Sequence, residues 1–144
     1  MDAEPSLQIS RPRRPVDPEL LERLRDALEG CQDVAFAYLP EVYVPGQQPR
    51  PEVVLFVWLR PPAVRSVRAA LNLVSARVAD ALPDGDYMDV VILNSAPDLL
   101  VAVEGADCLV LERDAEERRQ ALEAARSGDH PPEVSRRPWW WPFG

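Results

Sequence analysis

The chain has 144 residues, enough for one sizeable hydrophobic core and too few for two. Its formal charge of −8 argues against nucleic acid as a partner of the domain as a whole. Two cysteines, Cys31 and Cys108, are too few for a disulfide framework and read as inert core thiols.

No apolar stretch nears the roughly 18 residues of a membrane span, and the opening MDAEPSLQ lacks the basic start and apolar middle of a secretory signal. A cytoplasmic protein is expected. All sixteen basic residues are arginine, beside sixteen prolines, a bias that reads as bacterial genome composition rather than function.

Residues 1–16 contain the run RPRRP without any periodic pattern and read as a disordered lead-in. Asp17, Pro18 and Glu19 then open a helix: an oxygen to cap amides, a proline for the first turn, and an acid near the positive dipole end. Leu20, Leu21, Leu24 and Leu28 supply one apolar face and Gly30 a stop, which predicts a helix over Pro18–Glu29.

Residues 34–44, VAFAYLPEVYV, alternate as a strand does, with Phe36 and Tyr38 on one face. Pro40 interrupts them and predicts an edge strand or a kink at that point. After the loop PGQQP, residues 53–59 form an unbroken apolar run, VVLFVWL, expected to pair antiparallel with the preceding strand and to be covered on both faces.

Pro61 and Pro62 end that run, and the period changes. Val64, Val67, Leu71, Val74, Val78 and Leu82 fall at steps of three and four, the core face of a long helix. Arg65, Arg68, Asn72, Ser75 and Asp80 form its wet side, and the Pro83-Asp84-Gly85 turn stops it. Residues 87–93, YMDVVIL, read as a third strand, placed parallel to residues 53–59 by a right-handed crossover.

A short helix over 98–104 and a fourth strand over 108–111 follow. Asp114, with Glu117 three positions on, is a capping-box signal that opens a polar helix to Arg126. Residues 127–144 read as a Pro/Trp-rich tail. The expected fold is a single α+β domain over residues 17–126: a mixed sheet of three to four strands with the long helix packed on one face. The predicted order is helix, strand, strand, helix, strand, short helix, strand, helix.

This order, with Ala37-Tyr38-Leu39, Glu41-Val42-Tyr43 and Asp89-Val90-Val91 at its strands, resembles the C-terminal domain of the enhanced serine sensitivity (SseB) family. The resemblance covers residues 17–111 and implies the same α+β sheet layout. It brings no catalytic motif. The separate N-terminal domain of longer members is missing here, and the Trp-rich ending lies outside the family pattern.

Chemistry is sparse. His130 is the single histidine, in a Pro/Gly-rich stretch that cannot hold it between triad partners. Cys31, Cys108 and His130 are too far apart to read as a zinc set, and no phosphate-cradling glycine motif is present. Asp84, Asp86 and Asp89 could supply oxygen ligands to a cation, but read better as a solvated turn. Glu41 and Tyr43 could line a surface groove.

The tail stands apart. Arg136, Arg137, Trp139, Trp140, Trp141 and Phe143 put four aromatics within five residues, behind two cations. Such clusters occur where proteins meet partners, where a tail folds back on its own domain, or less often at a membrane interface. The expectation is a non-enzymatic interaction or regulatory domain, with no metal and no cofactor, docking on an unknown protein partner through this tail. The alternative is an immunity- or chaperone-type protein whose acidic surface neutralises a basic partner. The oligomeric state is left open.

Overall fold

Helix α1, Pro18–Glu29, begins as its sequence requires: the Asp17 carboxylate accepts from the Glu19 N–H at 3.1 Å, and Pro18 fills the first turn. The computed structural model describes residues 7–46, 49–60, 67–83, 86 and 88–127. At the far end of α1 the guanidinium of Arg113 donates to the carbonyls of Leu28, Glu29, Cys31 and Val34. These include carbonyls that the last helical turn leaves without partners. Leu24 and Leu28 are fully buried, and burial of each stabilises the domain by about 1.5–3 kcal/mol.

The next two apolar stretches are each split between two sheets. Strand β2 is Val34–Tyr38 and β3 is Glu41–Tyr43; β4 is Glu52–Val53 and β5 is Leu55–Leu59. β2 pairs antiparallel with β5, and β3 with β4, so the expected hairpin forms and turns a corner midway. The corner lies at Pro40 and Val54, where the Val54 N–H donates to the Pro40 carbonyl at 3.0 Å. Proline has no N–H for a ladder, which is why the first sheet ends there.

The kink at Pro40 is therefore present, but neither strand beside it is an edge. β2 lies inside a four-stranded sheet of order β6-β5-β2-β7, where β6 is Val90–Ile92 and β7 is Leu109–Glu112. β3 lies in the middle of a second sheet, flanked by β4 and by β1, Gln8–Ser10. That first strand corrects the expectation of a disordered lead-in. Three residues pair with β3, and Leu7 and Ile9 pack on the core, a strand too short to show a period in sequence.

β6 runs parallel to β5, as the crossover through α2, Val67–Ala81, requires. The sheet is covered on both sides. Ala37, Leu55, Val57 and Ile92 face α1 and α2, meeting Leu24, Leu28, Val74 and Val78. Phe36, Tyr38, Phe56 and Leu93 face α3, Leu100–Gly105, and α4, Ala115–Ser127, meeting Leu100, Val103 and Leu122. A register shift between Val34 and Phe36 puts Ala35 and Phe36 on the same side, so the strand departs from strict alternation there. Helix α2 packs by Ala70, Val74 and Val78 and leaves Arg68, Asn72 and Ser75 exposed, as its spacing predicts.

Candidate functional site

Among the described residues three places carry polar or concave features beyond plain packing. The first is a network between the sheet and helices α3 and α4. The Tyr38 hydroxyl donates to Glu104 at 2.6 Å and accepts from Arg118 Nε at 3.1 Å. Arg118 also reaches both Glu104 oxygens at 2.6 Å and Glu112 at 2.6 Å. Burial pushes the Tyr38 phenol well above its ordinary value, and its hydrogen bond to Glu104 adds to this. Burial would raise the Glu104 carboxyl too, but hydrogen bonds from Tyr38 and Arg118 outweigh it and hold that carboxyl low. The arrangement keeps Glu104 charged and Tyr38 protonated. It ties α3, α4, β2 and β7 together.

Beside it the Trp58 indole stacks on Phe36, with ring centres 5.8 Å apart, and donates to the Glu117 carboxylate at 3.0 Å. Asp114 does cap the Glu117 N–H, at 3.0 Å, but Glu117 spends its carboxylate on Trp58 rather than on the reciprocal half of a capping box. Phe36 also meets Tyr38 edge-on, so three aromatics run side by side over the α3/α4 face.

The second place is a cleft of about 240 Å³ under the segment that leads into α1, lined by Pro12, Val16, Leu21, Leu39 and Cys108. Arg11 pairs with Asp107 at its rim at 2.5 Å, and Arg25 Nε covers the Val110 carbonyl at 3.0 Å, which blunts the edge of β7. Burial pushes the Cys108 thiol up to about 11, and burial likewise raises Cys31, which lies wholly in the core. Both thiols are held protonated.

The third is a groove of about 580 Å³ at the opposite edge of the four-stranded sheet, between the start of α2 and strand β6. Val67, Leu71, Val90 and Ile92 form its floor and walls; Arg68, Asn72 and Ser95 are its polar members. Edge strand β6 is paired on one side only, to β5. The Leu55 N–H donates to the Asp89 carbonyl at 3.0 Å, so in this parallel ladder Asp89 and Val91 face β5. The N–H and C=O of Val90 and the N–H of Ile92 are thereby turned toward the groove side, while the Ile92 C=O accepts the first bond of the 3₁₀ turn over Leu93–Ser95.

Of the residues singled out in the sequence, Glu41 and Tyr43 stand two apart on β3, the middle strand of the small sheet, and not on an edge. Glu41 is engaged by Arg13, whose N–H donates at 3.3 Å and whose guanidinium lies at 3.4 Å. Asp89 is half-buried, and burial, then the nearby Glu52 charge, raises its carboxyl. Arg136, Arg137, Trp139, Trp140, Trp141, Phe143 and His130 lie outside the described residues, as do Arg65 and Asp84. Among the described residues no three metal-ligating side chains come together, and no helix is long and apolar enough to cross a membrane. The β6 groove is a feature that sequence reasoning missed. Arg68 read only as a solvated residue, and strand order, which makes β6 an edge, has no local signature.

Comparison of the chain with protein-family models, with curated proteins and with solved structures gave no match in any of the three.

Proposed function

We infer that the chain is a non-enzymatic interaction or regulatory domain of the bacterial cytoplasm, resembling the C-terminal domain of the enhanced serine sensitivity family. Its docking segment is the tail, with Trp139, Trp140, Trp141 and Phe143 as apolar anchors and Arg136 and Arg137 as their charged rim. The observation that carries this reading is the use the fold makes of its polar side chains. Tyr38, Glu104 and Arg118 bind one another, Arg113 closes α1, and Asn94 binds the backbone of β5. Tyr38 and Glu104, the two of these that could move a proton, are spent with the rest on holding elements together, which fits a scaffold for recognition.

The charge of −8 favours a second reading, an immunity- or chaperone-type protein that neutralises a basic partner. One experiment separates the two. The full chain and a variant with Trp139, Trp140 and Trp141 all changed to Ala are used as baits in native lysate at low and high salt. Capture that vanishes in the variant and survives high salt supports tail docking. Capture that survives in the variant and vanishes at high salt supports the acidic-surface reading.

A further inference from the structure

We propose that the groove between α2 and β6 is a peptide-binding site that takes an extended segment as an added strand on β6, with a carboxylate of that segment facing Arg68. The first requirement is an edge that can still bond. β6 uses its inward-facing backbone groups on β5, while the N–H and C=O of Val90 and the N–H of Ile92 point away from it and have no partner among the described residues. The outward Ile92 C=O is taken up by the 3₁₀ turn over Leu93–Ser95 that it opens. The other edge of the same sheet is treated differently, because Arg25 covers the outward Val110 carbonyl. One edge is blunted and one is left open.

The second requirement is a surface for side chains, since backbone bonds give affinity and pockets give selectivity. A strand added to β6 would point alternate side chains toward the α2 side of the sheet, where Val67 and Leu71 offer apolar walls. A cavity of about 580 Å³ is large enough for two or three such side chains.

Charge selects the third feature. Arg68 is exposed at the rim and pairs with no acid among the described residues, and the first turn of α2 contains no acidic side chain. The positive end of a fifteen-residue helix and one guanidinium therefore address the same end of the groove. The crossover helix runs opposite to its strands, which sets this end beside Ile92 and Ser95 and leaves Asp89 at the other. An acid is expected at the Ile92 end of the bound segment, and apolar or β-branched residues at alternate positions before it.

The test uses the full chain as bait for a phage-displayed library of random peptides about twelve residues long. The tightest peptide is then synthesised and its binding followed by fluorescence anisotropy and by amide exchange. The expected peptide carries an acid. Arg68→Glu weakens its binding by about tenfold or more without lowering the melting temperature, and changing the peptide's acid to lysine restores binding to that variant. N-methylation of alternate peptide amides abolishes binding in one alternation and spares it in the other. The amides of Val90 and Ile92 exchange freely in the free chain and slow on binding. The proposal is overturned if no peptide survives selection, if Arg68→Glu binds equally well, if slowed exchange falls on the Arg11–Val110 cleft instead, or if the Val90 and Ile92 amides are already protected in the free chain.

Discussion

The side chain of Asn94 stands in for a strand residue: the Leu59 N–H donates to its Oδ1 at 2.7 Å, and its Nδ2 donates to the Leu59 carbonyl at 3.1 Å. Leu59 is the last residue of β5, and just here β6 gives way to a 3₁₀ turn over Leu93–Ser95. Without Asn94 both backbone groups of a fully buried residue would lose their partners. Asn94→Ala should therefore cost about 2–6 kcal/mol, since each of the two buried groups left unpaired costs about 1–3 kcal/mol. A melting temperature within a degree of the parent would show that water replaces the amide without loss.

The Tyr38–Glu104–Arg118 network makes a pH prediction of definite sign. The Glu104 carboxyl is held below its ordinary value, so its contribution to stability is fully present above the ordinary glutamate range. That contribution is lost as pH falls through the lowered value in the folded chain. Glu104→Gln should destabilise the domain near neutrality and flatten the acid limb of the stability curve. Denaturant titrations between pH 7 and pH 3 check this, and parallel curves for parent and variant would contradict it.

Much of this fold is legible in the sequence because its signals are local. The cap at Asp17, the proline stop at Pro40 and the three-four spacing through Val74 and Val78 each depend on neighbours along the chain. What stays hidden depends on distant residues. Whether β2 is interior or edge is decided by β7, more than seventy residues away, through pairs such as Ala37 with Leu111. The strand Gln8–Ser10 exists only because β3 offers it a ladder. The groove was invisible for the same reason, since Arg68 and Ile92 meet only after the crossover is made.

The two sides of α2 should respond oppositely to the same charge. Val74 is 2% exposed, between α1 and the sheet, whereas Arg68 is exposed at the groove rim. Burying an unpaired carboxylate at Val74 sets several kcal/mol against a domain stability of roughly 5–15 kcal/mol. Val74→Asp should abolish soluble folding, and Arg68→Asp should leave it intact. Equal solubility and equal melting temperatures for the two variants would refute the packing of this helix.

The tail can be tested spectroscopically, because the four tryptophans divide cleanly between core and tail. Trp58 stacks on Phe36 and donates to Glu117, and the other three are Trp139, Trp140 and Trp141. Three consecutive side chains cannot share one face of a helix or of a strand, so full burial needs contacts on more than one side. If the tail waits for a partner, subtracting the emission of a chain lacking residues 138–144 from that of the intact chain should leave a red-shifted, water-exposed spectrum. The melting temperature should then differ by no more than about 2 °C, since nothing in the core would depend on those residues. A blue-shifted difference spectrum together with a fall of many degrees on deletion would mean that the tail completes its own domain, and tail docking on a partner would have to be abandoned. A difference spectrum that shifts to the blue only when anionic vesicles are added would move the docking surface from a protein to a membrane.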